Sequence, residues 1–235
     1  MKVTLLIPTL NEIGGMKSIM PRIKKEWYDQ LIVLDGGSTD GTIEYAKEMG
    51  YDLYVQKKEG IKEGYKEVYD MITGDIIITF SPDGNSIAEL IPPLAAKMRE
   101  GYDMVIVSRY AGHAKSYDDD AVTSFGNWMF TSVINLLHGS RYTDAMVMFR
   151  AYRRKMVEEL DLDKDGSYSY VEKLFNTKIS WEPLLSVRAA KRKMRCADIP
   201  GDEPPRIGGE RKLKIIKWGL AYLTQVITEK FVWMK

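Results

Sequence analysis

IIITFSPDGN, residues 76–85, joins five apolar or β-prone residues to a turn built from Ser81, Pro82, Asp83, Gly84 and Asn85. A strand covered on both faces has no polar alternation, and a run such as IIITF is what a buried parallel strand requires. An acid fixed directly at the exit of such a strand is costly unless it serves a turn or a ligand. Both readings stand at Asp83.

Working outward, the same grammar repeats. Val3–Ile7, Leu31–Leu34, Asp52–Val55 and Met104–Val107 read as further strands, and LIVL and MVIV are again apolar throughout. Helical patterns lie between them at Gly15–Trp27, Thr42–Met49, Lys62–Ile72 and Ser86–Arg99. Five strands alternating with helices predict an α/β fold, a Rossmann-like and mostly parallel central sheet with helices on both faces. Ligands of such sheets sit beyond the carboxyl ends of the strands. Four of those ends read PTLNE, DGGSTDG, QKKEG and SPDGN.

The second half is less regular. Helices are expected at Phe125–Leu137, Ser169–Asn176 and Pro183–Lys193, with strands at Val147–Tyr152 and Ala197–Ile199. A Gly/Pro loop, Pro200–Gly209, precedes a final helix beginning near Lys212. In that helix Ile216, Leu220, Leu223, Ile227, Phe231 and Met234 recur at three- and four-residue steps, one apolar stripe. The expected division is one domain over 1–211 and a C-terminal amphipathic helix over 212–235. The helix either packs on the domain, bridges a homodimer or lies on a membrane, where Trp218, Tyr222, Trp233, Lys212, Lys214 and Lys217 suit an anionic surface.

Charge and composition narrow the function. The 235 residues carry 34 Lys and Arg against 33 Asp and Glu, which predicts no nucleic-acid partner. A single cysteine, Cys196, excludes a disulfide framework. The best apolar run, Trp218–Thr228, is eleven uncharged residues and falls short of the roughly 20 a membrane span needs. A cytoplasmic location follows, with a peripheral contact on the cytoplasmic membrane face as its extension. The charge is uneven: Arg188–Lys217 holds ten basic and four acidic residues. No GxGxxG follows the first strand and no GxxxxGK[ST] occurs, which excludes ordinary dinucleotide and P-loop sites.

Two acidic segments invite a cation. At the first, Asp83 helped by Asn85 presents hard oxygen ligands suited to a divalent ion on a diphosphate. At the second, DLDKDGSYSYVE (161–172) fits the calcium-loop pattern D-x-[DN]-x-[DN]-G-x5-E. It reads equally as an acidic turn with a helix cap, because calcium loops work in pairs and Tyr168 stands where an aliphatic residue is usual. DGGSTDGT (35–42) is a βα turn in which Ser38 and Asp40 can cap the helix and Asp35 can accept hydrogen bonds from a base or ribose. His113, His138 and Cys196 read as solvated or packed, and the basic run Arg188–Arg195 as a solvated helix face.

IPTLNE, VLDGGSTDGT, ITFSPDGN, IVSRY and TDAMVMFRAYRR occur in order, and together they resemble family 2 glycosyltransferases of the GT-A fold. The dolichol- and polyprenyl-phosphate sugar synthases are the nearest group in that resemblance, which runs from about Lys2 to Lys212. It implies an inverting transfer from a nucleoside-diphosphate sugar to a polyprenyl phosphate, assisted by Mg²⁺ or Mn²⁺. Carried over by motif, Pro8, Leu10, Glu12, Asp35 and Gly37 border the donor, Asp83 and Asn85 hold the metal, and Arg206 reaches a donor phosphate. Arg109, Thr123, Arg150 and Lys212 face the acceptor or its phosphate. Asp83, Arg109 and Asp144 form the expected catalytic set.

This chain departs from the pattern at several places. Ser81 replaces the first acid of the DxD motif, Leu10 an aromatic residue, and Gly36 a second aspartate. Asp118, Asp119 and Asp120 stand where the lipid-phosphate synthases tend to be basic. Three carboxylates there repel a lipid phosphate unless they point away or share a metal. A phosphate acceptor is already a nucleophile, whereas a sugar hydroxyl needs a base, for which Asp144 is the leading candidate. A saccharide acceptor in polysaccharide assembly and a catalytically silent nucleotide-sugar binding module are therefore the alternative readings.

Overall fold

The computed structural model describes residues 1–207 and 215–232. Seven strands form one sheet: β1 (Val3–Thr9), β2 (Gln30–Asp35), β3 (Asp52–Val55), β4 (Ile76–Thr79), β5 (Met104–Ser108), β6 (Arg150–Arg153) and β7 (Cys196–Pro200). Their spatial order is β3-β2-β1-β4-β6-β5-β7. Every pairing is parallel except those of β6, which runs antiparallel between β4 and β5. The mostly parallel α/β architecture expected from the sequence is present.

Alternate residues of each strand feed two cores. Leu6, Ile32, Leu34 and Ile77 point to one face, where they meet α3 (Ile61–Val68), α5 (Ala121–His138), α6 (Met156–Glu159), α7 (Ser169–Phe175) and α8 (Glu182–Lys191). Leu5, Ile7, Val33, Ile76 and Ile78 point to the other, against α1 (Ile13–Ile19), α2 (Thr42–Glu48) and α4 (Ile91–Arg99). Period-two alternation with both sets apolar is why the strands show no polar face.

Three helices are shorter than their patterns. The Gly15–Trp27 pattern is helical only to Ile19, because Pro21 opens a separate 3₁₀ turn, Met20–Arg22, followed by a second, Lys25–Trp27. Lys62–Ile72 ends as α-helix at Val68 and tightens into a 3₁₀ turn, Tyr69–Met71. Ser86–Arg99 becomes helical at Ile91, where Pro92 and Pro93 occupy the first turn and their missing N–H groups cost nothing.

The C-terminal helix α9 (Ile215–Val232) packs on α5, α7 and α8. Its buried face is Ala221, Tyr222, Gln225, Val226 and Glu229, not the apolar stripe. Leu220, Ile227 and Phe231 face outward, Phe231 at 75% exposure. The physical reason is a buried ion pair: Arg188 on α8 meets Glu229 with two bonds of 2.8 and 3.1 Å, both side chains 3% exposed. Arg188 also donates to the Leu160 carbonyl at 2.7 Å and to Ser167 Oγ at 2.8 Å. It is thus no part of a solvated basic face. His138 is packed, with Nε2 2.9 Å from the Val226 carbonyl, and burial holds its pKa below the ordinary histidine value. Lys212, Lys214, Trp233, Met234 and the Ile216 side chain lie outside the described residues. No described helix is long and apolar enough to cross a membrane.

Candidate active site

The carboxyl ends of β1 and β2 are stitched together before any ligand is considered. Asn11 adopts a left-handed backbone (φ 54), its N–H donating to Ser38 Oγ at 2.8 Å and its Oδ1 accepting from the Thr39 N–H at 2.8 Å. The Glu12 N–H donates to Thr42 Oγ1, and the Ile13 N–H to Asp40, each at 3.0 Å. Ser38 therefore braces the two loops instead of capping a helix, while Asp40 accepts the Thr42 N–H at the start of α2. Pro8 is half-buried, Glu12 buried, and Leu10 and Gly37 exposed along this edge.

Asp35 closes β2 beneath this edge. It is fully buried, and its carboxylate accepts from the Gly37 and Ser38 N–H groups, Ser38 Oγ and Thr9 Oγ1, at 2.6 to 2.8 Å. Four donors reach it, so it organises the turn.

Asp83 stands at the exit of β4, 5% exposed. The Asn85 N–H donates to its Oδ1 at 3.0 Å, and the Ile207 N–H donates to its carbonyl at 2.9 Å. Two glycines permit this crowding. A Cβ on Gly15 would lie 2.2 Å from the Pro82 carbonyl oxygen, so α1 presses its backbone onto the SPDGN turn. Gly84 (φ 96) lies under Ile207, whose Cγ1 would be 2.6 Å from an added Cβ. Arg206 reaches Asp83 Oδ2 with NH1 at 3.1 Å and Asp118 Oδ2 with Nε at 3.5 Å. Asn85 Nδ2 donates to the same Asp118 oxygen at 3.2 Å. Asn85 Oδ1 is buried with no hydrogen-bond partner among the described residues. Asp83, Asn85, Asp118 and Arg206 thus meet in one place, and their oxygen donors fit a hard divalent cation such as Mg²⁺ or Mn²⁺.

A second charged knot lies at the exit of β5. Arg109 holds the fully buried Asp144 through Nε–Oδ2 at 2.6 Å and NH2–Oδ1 at 3.1 Å, and reaches Glu203 at 3.3 Å and Asp119 at 3.9 Å. Burial works against the Arg109 charge, but the Asp144 carboxylate outweighs it and pushes the pKa above the ordinary arginine value. Burial likewise raises the Glu203 pKa, against the pull of Arg109 and Ser116. Tyr110 and Asn127 donate to Asp119. The expected free base Asp144 and phosphate-facing Arg109 are instead each other's partners.

Two residues expected at the acceptor are engaged within the fold. Arg150 is completely buried and donates to the Val147, Ala145 and Glu182 carbonyls and to Ser186 Oγ. It ties β6 to α8, because its buried N–H groups find their acceptors in carbonyl oxygens and the Ser186 hydroxyl. Thr123 closes a capping box with Asp120 at the start of α5, its N–H donating to Asp120 Oδ1 at 2.8 Å. Lys212 lies outside the described residues. Glu203 was missed by sequence reasoning; the acid-bearing Gly/Pro loop GDEPPR, 201–206, was the available signal.

The 161–172 segment does not form a calcium loop. Lys66 takes Asp165, while Lys62 takes Glu172 at 2.9 Å and Glu63 at 3.2 Å. Lys178 lies 3.6 Å from Glu172. No group of three or more acids, histidines or cysteines among the described residues is arranged to hold a metal. The acidic turn is the reading the structure supports.

With the sheet, the strand exits and their charged knots in place, the family follows. The family model "Glycosyl transferase family 2" matches residues 4–161, and the chain belongs to that family. It is 27% identical over 208 residues to glycosyltransferase AglJ of Haloferax volcanii, covering 88% of this chain and 64% of that protein. It is 25% identical over 241 residues to the undecaprenyl-phosphate mannosyltransferase of Micrococcus luteus, covering 94% and 95%. Among solved structures it resembles glucosyl-3-phosphoglycerate synthase of Mycobacterium tuberculosis bound to Mn²⁺, uridine diphosphate and phosphoglyceric acid. That match has a TM-score of 0.65 at 17% identity over 100% of this chain and 80% of that one, a likeness of fold.

Proposed function

We propose that the chain is an inverting glycosyltransferase that moves a sugar from a nucleoside-diphosphate sugar to a polyprenyl phosphate, with Mg²⁺ or Mn²⁺. One observation carries the choice of acceptor: the carboxylates fit to act as a base are engaged elsewhere. Asp144 is locked to Arg109, Asp119 accepts from Tyr110 and Asn127, Asp120 caps α5, and Asp118 lies against Arg206. A sugar hydroxyl needs a carboxylate within hydrogen-bond reach to take its proton, and these four are held by partners within the chain. A phosphate acceptor is ionised already and needs none.

In this reading Pro8, Leu10, Glu12 and Gly37 border the nucleoside pocket, and Asp83 and Asn85 hold the cation. The cation's chemistry is to offset negative charge gathering on the departing diphosphate. The acceptor's phosphate oxygen forms the new bond to the anomeric carbon as the bond to the donor diphosphate breaks on the opposite side. Arg206 and Lys212 supply positive charge to the phosphates. Arg109, surrounded by carboxylates, braces β5 against the 200–207 loop.

The lipid part of the acceptor finds support in the outward apolar side chains of two neighbouring helices. Val122, Phe125 and Trp128 on α5 are each more than 60% exposed, and on α9 Leu220, Ile227 and Phe231 are exposed as well. Lys217 and Lys230 are exposed on α9. Exposed apolar side chains beside lysines suit peripheral contact with an anionic membrane. An undecaprenyl-phosphate mannosyltransferase among the relatives supports the same acceptor class.

The test is product release. Incubated with uridine or guanosine diphosphate sugars, Mg²⁺ or Mn²⁺ and polyprenyl phosphate, the protein should release nucleoside diphosphate only when the lipid is present. Release with an oligosaccharide but not the lipid would replace the acceptor, and donor binding without turnover would leave a binding module.

A further inference from the structure

The DxD motif of this chain lacks its first acid, yet the space around Asp83 is not short of carboxylate. Asp118 lies 35 positions further on and belongs to no part of that motif. Its Oδ2 reaches the same guanidinium as Asp83 Oδ2, at 3.5 and 3.1 Å, and accepts from the side-chain amide of Asn85 at 3.2 Å, while the Asn85 backbone N–H donates to Asp83 Oδ1. The oxygen of that amide is buried with no partner among the described residues, a lone pair facing no donor. The position of Asp118 is enforced from outside. Ser116 and Glu203 form a parallel bridge, and the Tyr117 N–H donates to the Glu203 carbonyl at 2.8 Å. The 114–118 segment is thereby held along the 200–207 loop, which is itself pinned to Asp83 through Ile207.

We infer that Asp118 is the second carboxylate of the cation site, replacing the acid that Ser81 lacks, and that Arg206 holds the cation's place until a divalent ion arrives. The inference rests on the metal-dependent reading proposed above. Charge favours it. Two carboxylates at −1 and one guanidinium at +1 leave the cluster negative, and exchanging that single charge for a divalent one neutralises it. In a half-buried site that residual charge is worth more than in water. The displaced guanidinium then faces the incoming diphosphate, which it pairs with bidentately, as arginine does with phosphates. The acidic run ahead of α5, which would repel a lipid phosphate if it faced the acceptor, is thus divided among other tasks: Asp118 at the cation, Asp119 on Tyr110 and Asn127, Asp120 at the helix cap.

The experiment measures Mn²⁺ binding by the donor-free protein, by paramagnetic resonance of free Mn²⁺ and by calorimetry, with circular dichroism to check folding. Asp83→Asn and Asp118→Asn should each weaken Mn²⁺ about 10-fold or more, the scale on which metal-site neighbours act. Arg206→Ala should tighten Mn²⁺, because it removes a competing cation. Ser81→Asp placed in the Asp118→Asn background should recover most of the lost affinity. If Asp83→Asn weakens Mn²⁺ while Asp118→Asn leaves it unchanged, the inference is overturned and the metal-dependent reading survives. If Asp83→Asn also leaves Mn²⁺ binding unchanged, both fall together. An Arg206→Ala variant that binds Mn²⁺ no tighter than the parent removes the place-holding role.

Discussion

Two acidic segments of this chain look equally ready for a cation, and the fold treats them in opposite ways. In 161–172 the carboxylates are taken by separate lysines: Asp165 goes to Lys66, and Glu172 goes to Lys62 and Lys178. Around SPDGN they are pulled together, so that Asp83 and Asp118 share one guanidinium. The difference lies in the neighbours. Lys62 sits on α3 with its side chain 3% exposed, inside a salt-bridge cluster that already neutralises the acids. Arg206 approaches from a loop at the carboxyl edge of the sheet, is 29% exposed, and can leave. A motif that spells a metal loop is satisfied by a resident ammonium where the fold supplies one.

Four experiments break or sharpen that contrast. The largest effect is expected from Asp83→Ala, which should abolish metal-dependent donor binding in a calorimetric titration; retained affinity would take Asp83 out of the site. Next, Lys62→Met should destabilise the fold by about 1–3 kcal/mol in urea melts, because it removes the buried ammonium that Glu63 and Glu172 share and leaves them only the longer contacts to Lys66 and Lys178. A loss below 1 kcal/mol would mean the lysine is not what neutralises that cluster. Gly15→Ala should cost about 1–3 kcal/mol by overpacking against the Pro82 carbonyl. Because that carbonyl belongs to the SPDGN turn, the same variant should weaken Mn²⁺ binding, and normal affinity would show that the turn tolerates the push. The smallest effect is the response to Ca²⁺ alone: the melting temperature should not move, and a rise would restore the calcium reading of 161–172.

Much of the scaffold was legible locally. The apolar runs from Val3 to Val107 and the polar exits between them placed β1–β5 and the site edge, because buried parallel strands leave a composition signature of their own. The orientation of β6 was not legible: Val147–Tyr152 reads as a strand, but nothing in its pattern says it inserts antiparallel between β4 and β5. The arginines misled for a related reason. Arg150 and Arg109 stand in motifs that read as phosphate-facing, but one is consumed by carbonyls and the other by Asp144 and Glu203. An arginine's role depends on which acceptors reach it, and Asp144, Glu182, Ser186 and Glu203 lie more than thirty residues away along the chain.

Helix α9 draws the same boundary. Its three- and four-residue spacing correctly marks a helix with an apolar stripe, yet the face that packs inward carries Gln225 and Glu229. Arg188 on α8 decides this, since a buried guanidinium needs a carboxylate more than the core needs another leucine. By itself, then, the sequence determined the α/β class, the strand exits and the position of Asp83, all properties of short-range periodicity and backbone preference. Tertiary structure alone decided which carboxylates converge, which arginines stay available and which side of the last helix faces water. Those depend on charges many residues apart being brought within a few ångströms, and local pattern carries no record of that.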